Sequence, residues 1–170
     1  TEPQAQVDLS LEERGRYARH LTLPELGVEG QRRLKAASVL CVGAGGLGSP
    51  LLMYLAAAGI GRLAIVDDDR VEVSNLQRQV IHGEGTVGQP KAQSASQRML
   101  DLNPHCQVEE HRCRITAANA LDLIAKHDLV VDGSDNFPTR YLISDACALL
   151  SKPWVYGSVQ RFEGQVSVFN

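Results

Sequence analysis

The stretch Ser38-Val-Leu-Cys-Val-Gly-Ala-Gly-Gly-Leu-Gly48 decides how this chain folds. A run of apolar residues stops at a cluster of glycines, and a helical pattern resumes from there to Ala58. That is strand, glycine turn, helix. In such a turn Gly43 permits the tight bend, Gly45 lets the backbone approach a phosphate, and Gly48 lets the helix pack closely on the sheet. The first helical amides then point at the anion, and the helix N-terminus adds roughly half a positive charge. A phosphate can be held there without a basic side chain, although a glycine-rich packing turn with no ligand would carry the same residues.

Outward from this unit the alternation repeats. Downstream, Leu63 to Val66 reads as a strand, Gln89 to Leu102 as a helix, and Gln107 to Arg112 as a weaker alternating strand. Thr116 to Lys126 reads as a helix and Leu129 to Asp132 as a short apolar strand. Asn136 looks like the cap of a helix reaching Leu150, and Trp154 to Tyr156 opens another strand. Near the end, Gln165 to Phe169 alternates after the turn Arg161-Phe-Glu-Gly164, which predicts an antiparallel hairpin. Upstream, Ser10 and Glu13 form a capping-box signature that predicts a helix through His20, and a second helix covers Val28 to Ala36. The expected fold is therefore α/β and Rossmann-like, a mostly parallel sheet flanked by helices with an antiparallel extension near the C-terminus. Residues 1–37 form an N-terminal helical segment and 38–170 the Rossmann-like unit. The last strand stops at Asn170 without a cap or tail, so the chain is expected to be part of a longer protein.

Composition narrows the function. The 170 residues carry 17 basic and 20 acidic side chains, net −3 at pH 7. Neither a nucleic acid nor an anionic membrane suits so mildly acidic a chain, because both demand a clustered basic surface. With 44% apolar residues a real core is affordable, yet no apolar run approaches the roughly 18 residues of a membrane span. Thr1 to Val7 lacks the basic patch and apolar stretch of an export signal, and the compartment is read as cytoplasmic. Cys41, Cys106, Cys113 and Cys147 form no CxxC pair and no zinc spacing, which leaves them as reduced, mostly buried thiols. The five histidines share no spacing either, and are read as surface or structural residues.

Polar residues at the strand ends point to a nucleotide. Asp67 follows the second strand about 20 residues past the glycine turn, where an acidic side chain accepts hydrogen bonds from ribose hydroxyls. NAD and ATP fit this equally. Behind it, however, comes Asp67-Asp-Asp-Arg-Val-Glu-Val-Ser-Asn-Leu-Gln-Arg-Gln79, and then Gly88-Gln-Pro-Lys91. That density of charge exceeds what a nicotinamide clamp requires. Lys91 in a first helical turn opposes the helix dipole, and a bound phosphate would account for it. Asp132-Gly-Ser-Asp-Asn136 follows the fourth strand at the edge where open α/β sheets bind ligands; Asp135 suits magnesium there, or simply forms a turn beside the helix cap.

Six blocks taken in order, Arg16-Tyr-Ala-Arg19-His, Gly43-Ala-Gly-Gly-Leu-Gly48, Asp67-Asp-Asp69, Ser74-Asn-Leu-Gln-Arg-Gln79, Thr86-Val-Gly-Gln-Pro-Lys91 and Gly133-Ser-Asp-Asn136, resemble the MoeB/ThiF/HesA family, related to ubiquitin-activating enzymes. The resemblance runs from about Leu11 to Phe169. It implies an adenylyltransferase that uses ATP and magnesium to activate the C-terminal Gly-Gly carboxylate of a small ubiquitin-fold sulfur carrier of the MoaD/ThiS type, as an acyl-adenylate, with release of pyrophosphate. By the same resemblance Gly46 contacts ATP, Asp67 holds the ribose, and Asn75, Arg78 and Lys91 surround the phosphates. Asp135 carries magnesium, and Asp69 lies beside the pocket. Arg19 reaches into the partner's site across a homodimer. The family's two zinc-binding CxxC pairs and its catalytic cysteine have no counterpart here, so zinc is expected only in a region beyond residue 170. Two alternatives stay open: an NAD-dependent oxidoreductase, which leaves Arg78, Lys91 and Asp135 without a role, and a non-catalytic module that binds a ubiquitin-fold partner.

The chemistry accounts for these residue types without the family. A terminal carboxylate of pKa about 3.3 to 3.7 is ionised at pH 7 and needs no general base. What must be overcome is the repulsion between that anion and a polyanionic triphosphate, and the charge growing on pyrophosphate, so cationic side chains and a metal ion do the work.

Overall fold

The computed structural model describes residues 7–170. Six strands form one sheet in the order β3-β2-β1-β4-β5-β6: β1 Ser38–Val42, β2 Arg62–Val66, β3 Gln107–His111, β4 Leu129–Asp132, β5 Trp154–Gln160 and β6 Glu163–Phe169. All neighbours pair in parallel except β5 and β6, which pair antiparallel from Trp154↔Phe169 to Gln160↔Glu163. The fold expected from the sequence is the one observed.

Alternation along β1 shows how the sheet is buried on both faces. Val39 and Cys41 join Leu52 of α4 (Gly48–Ala58) and Met99 of α5 (Lys91–Leu102) in one core. Leu40 and Val42 join Ile124 of α6 (Ala120–Ala125) and Ile143 of α7 (Phe137–Leu150) in the other. Continuous apolar strands are the mark of such double burial. Among the described residues no helix is long and apolar enough to cross a membrane. The expectation drawn from Thr1 to Val7 falls outside the described residues but for Val7.

Several boundaries differ from the sequence reading, each for a tertiary reason. The helix predicted from Ser10 through His20 is two helices, α1 Leu11–Arg16 and α2 Ala18–Leu21. The capping box is present, with Glu13 N–H donating to Ser10 Oγ at 3.2 Å and Ser10 N–H to Glu13 Oε2 at 2.7 Å. The break is at Tyr17, buried and held by Asn103 Nδ2 donating to its hydroxyl at 2.7 Å. The third helix, α3, spans Gly27–Ala36. α5 starts at Lys91 because Pro90 caps it, and α6 is shorter than predicted because Asn119 turns back to take the Thr116 N–H at 2.7 Å. The final hairpin is longer than predicted, with β6 beginning at Glu163 because the register continues to a turn at Arg161 and Phe162.

Candidate functional site

Chain order fixes the position of the site. From β1 the crossovers run through β2 to β3, and the next one returns across β1 to lay β4 on its other side. Between β1 and β4 the direction of winding reverses, and the loops leaving their carboxyl ends diverge, which is where open α/β sheets hold ligands. Val42 is in register with Asp132, so the turn 43–48 and the loop 133–136 stand side by side. A cavity of about 980 Å3 opens there, with Gly45, Gly46, Asp67, Arg78, Lys91 and Asp135 on its wall.

The glycine turn is packed as tightly as its residues suggest. Gly43 has φ +94°, and a methyl group on it would sit 3.0 Å from the Gly133 carbonyl oxygen. At Gly48 a methyl group would lie 2.0 Å from the Gly43 carbonyl oxygen, closer than any side chain can be accommodated. Ser49 N–H donates to Gly45 O at 2.8 Å and begins α4. Within the turn, Ala44 is tied at both its N–H and its carbonyl. Its N–H donates to Asp67 Oδ2 at 2.8 Å, and its carbonyl accepts from His82 Nε2 at 3.0 Å, while His82 Nδ1 lies 2.9 Å from Ser94 Oγ. The backbone carbonyl can only accept, so His82 carries its proton on Nε2 and accepts from Ser94. Burial holds His82 below the usual histidine range, in keeping with this neutral form.

Asp67 uses its second oxygen on Asp69 N–H at 2.9 Å. Burial raises its pKa, opposed by those two backbone donors. A carboxylate has about four lone-pair sites, so two remain for hydroxyl donors such as those of a ribose. Lys91 Nζ lies 2.8 Å from Asp69 Oδ2, and its side chain is almost wholly buried. Arg78 lies over Gly46, with its Cδ 3.7 Å from where a β-carbon would stand, and it is exposed, its guanidinium donating among the described residues only to Ser74 O at 3.2 Å.

Across the cavity, the Asn136 side chain caps α7 as predicted, accepting Thr139 N–H at 3.0 Å. Asp135 beside it is exposed, and among the described residues its carboxylate accepts a hydrogen bond from Asn136 Nδ2 alone, at 3.4 Å. Among the described residues no group of three or more His, Cys, Asp or Glu side chains could hold a metal. Magnesium next to phosphates needs no such cage, since one or two carboxylates, phosphate oxygens and water complete its shell. An uncommitted carboxylate facing two cationic side chains fits that role.

Two of the predicted residues stand apart. Asn75 is buried, but its Oδ1 accepts Glu72 N–H at 3.0 Å to close the turn Val73–Asn75, and it does not line the cavity. Arg19 is exposed on α2, away from the cavity of its own chain. Conversely, the structure adds residues that the sequence reading left out. Gln79 lines the cavity while 4% exposed, and its Oε1 has no hydrogen-bond partner among the described residues. Leaving such a group unpaired costs about 1–3 kcal/mol. Arg140 lies 5.1 Å above the Tyr156 ring and donates to Tyr156 Oη at 3.1 Å and to Ser134 O at 2.9 Å, bracing the loop that carries Asp135. Asp132, 1% exposed, accepts Ser134 N–H at 2.8 Å, and burial raises its pKa. Composition carries no sign of these contacts; only the block ending in Gln79 hinted at one. The thiols of Cys41, Cys106 and Cys147 are pushed by burial to about 12, 11 and 11, which leaves them protonated and inert at neutral pH, while Cys113 lies on the cavity wall.

The family model described as the ThiF family matches residues 17–170. The chain is 58% identical over 161 residues to a Mycobacterium tuberculosis protein named probable adenylyltransferase/sulfurtransferase MoeZ, covering 95% of this chain and 41% of that protein. It is 57% identical over 159 residues to the sulfur carrier protein adenylyltransferase of Thermus thermophilus, covering 94% and 59% respectively. The chain thus spans well under two thirds of these relatives. Among solved structures, the E. coli tRNA N6-threonylcarbamoyladenosine dehydratase TcdA in complex with ATP superposes with a TM-score of 0.84 at 28% identity, covering 89% of this chain and 63% of that one.

Proposed function

Since this chain belongs to the ThiF family, we propose that it is the nucleotide-binding part of an enzyme that adenylates the C-terminal Gly-Gly carboxylate of a small ubiquitin-fold sulfur carrier. The relatives named as adenylyltransferases support the reaction type. The observation that carries it is the placing of Arg78 and Lys91 around a glycine turn, with a free carboxylate, Asp135, on the opposite wall of the same cavity.

In this reaction a carboxylate oxygen of the carrier forms a bond to the α-phosphorus of ATP. The bond from that phosphorus to the α–β bridging oxygen breaks, and its electron pair leaves on pyrophosphate. No proton need be removed from the nucleophile. The turn amides and Gly45 and Gly46 receive phosphate oxygens, and the free lone pairs of Asp67 take the ribose hydroxyls. Arg78 and Lys91 offset the charge on the departing group. At about 4 Å and an effective dielectric near 20, one unit pair contributes on the order of 4 kcal/mol before desolvation is subtracted. Asp69 holds the Lys91 ammonium in place at the cavity wall through their 2.8 Å ion pair. Asp135 would hold magnesium, which when bound neutralises phosphate charge and orients the triphosphate. Asn75 supports the segment that presents Arg78 through its Oδ1, which leaves its Nδ2 as the atom for a phosphate oxygen. Arg19 acts in the site of a second copy, within a homodimer, and the compartment is the cytoplasm.

Pyrophosphate exchange tests this directly. Labelled pyrophosphate should enter ATP only when a carrier ending in Gly-Gly is present with magnesium. Carrier binding with no exchange would instead make the protein a recognition module.

A further inference from the structure

Three consecutive residues of the glycine turn are each covered by a different polar side chain. Ala44 N–H is taken by Asp67, Gly45 is faced by Gln79, and Gly46 by Arg78. Gln79 Nε2 lies 3.7 Å from where a β-carbon on Gly45 would stand. The residue is 4% exposed, its Oε1 has no hydrogen-bond partner among the described residues, and its Nε2 is the end turned to Gly45 at the cavity wall. Buried amides are normally partnered at both ends. A buried amide left idle against the turn that receives phosphate is therefore a group awaiting a ligand.

The order of these coverings gives the atom. Asp67 marks the ribose end of the turn, Arg78 the far end, and Gln79 lies between them. The phosphate next to the ribose is the α-phosphate, the one that undergoes substitution. We infer that Gln79 is a substrate-binding residue that donates its Nε2–H to a non-bridging oxygen of the α-phosphate, an inference that rests on the adenylation reading above. A neutral donor suits this position. It orients the phosphorus and stabilises the oxygens as the fifth bond forms, without the full positive charge that would hold the incoming carboxylate as an ion pair.

Two non-bridging oxygens become distinguishable when one is replaced by sulfur, a poorer acceptor. The experiment compares pyrophosphate exchange with the Sp and Rp isomers of adenosine 5′-O-(1-thiotriphosphate), for the unsubstituted protein and for Gln79→Leu. The unsubstituted protein should favour one isomer by about tenfold or more, and Gln79→Leu should bring the ratio down at least threefold while lowering exchange with ATP about 10- to 100-fold. An unchanged isomer ratio in an active Gln79→Leu protein overturns the contact. Should Gln79→Leu fail to fold, the side-chain amide proton signals of Gln79 in the unsubstituted protein decide the matter. AMP should shift them and adenosine should not, and equal responses overturn the contact. If the unsubstituted protein shows no exchange with ATP, yet AMP alone shifts the amide, the adenylation reading fails and the phosphate contact stands.

Discussion

Lys91 and Asp69 are joined twice, by the 2.8 Å ion pair between Nζ and Oδ2 and by Lys91 N–H donating to the Asp69 carbonyl at 2.9 Å. The ammonium is buried while the carboxylate is mostly exposed. The pair is therefore a cation held at the cavity wall by a partner that water can reach. We expect Lys91→Ala to lower carrier-dependent pyrophosphate exchange by about 10²- to 10³-fold with the fold intact, because it removes charge from the transition state. Exchange within twofold of the unsubstituted rate would refute that role.

Asp135 should behave as a metal-linked residue. Asp135→Asn is expected to raise the magnesium concentration for half-maximal exchange by about tenfold and to change nucleotide affinity much less. A superimposable magnesium titration would remove Asp135 from the site.

For Arg19 the expectation is complementation. Arg19→Ala and Lys91→Ala proteins, each deficient alone, should regain activity when mixed into heterodimers, approaching half the unsubstituted rate if each competent site works independently. Heterodimers as inactive as either parent would argue against supply of Arg19 by a second subunit.

Gly48→Ala tests the geometry of the turn. With its methyl group 2.0 Å from a backbone oxygen, the turn must move. A stability loss of about 3 kcal/mol or more is expected from such a backbone clash, together with loss of nucleotide binding. By contrast, Gly85, with nothing near its missing β-carbon, should accept alanine within about 0.5 kcal/mol. Equal denaturation midpoints for the two variants would show the turn to be slack.

His82 sets a pH dependence. Its pKa in the folded protein lies below the ordinary value near 6.5. Unfolding therefore takes up a proton at pH values between the two, so stability is complete above about 6.5 and declines as pH falls toward the folded value. His127 is depressed in the same direction by burial, whereas Asp67, raised by burial, acts in the opposite sense at the acid end. Urea midpoints measured from pH 7.5 to 5.5 should fall, and His82→Gln should flatten that decline. An identical slope in the variant would exclude His82 as its source.

Much of this was legible before the structure, for reasons that differ from residue to residue. The apolar run into Gly43 and the caps at Ser10 and Asn136 are local signals, satisfied within a few residues, and they hold. The break at Tyr17 was not legible because its cause, Asn103, lies far along the chain. The same applies to Gln79 and Arg140, whose meaning comes from Gly45, Tyr156 and Ser134 rather than from sequence neighbours. Asn75 adds a local tie that its block did not announce: its Oδ1 closes the turn ahead of Arg78.

Because the two lips of the cleft come from β1 and β4, neither is complete until distant segments meet. Ser38 N–H reaches Asp128 Oδ2 at 2.8 Å across 90 residues of sequence. Such non-local pairing forms slowly, since a long loop must close before it is rewarded. During synthesis the glycine turn therefore emerges, and can be sampled by nucleotide, well before its opposite wall exists. The capacity to grip ATP should appear late and abruptly, as β4 docks, and not build up with the length of nascent chain.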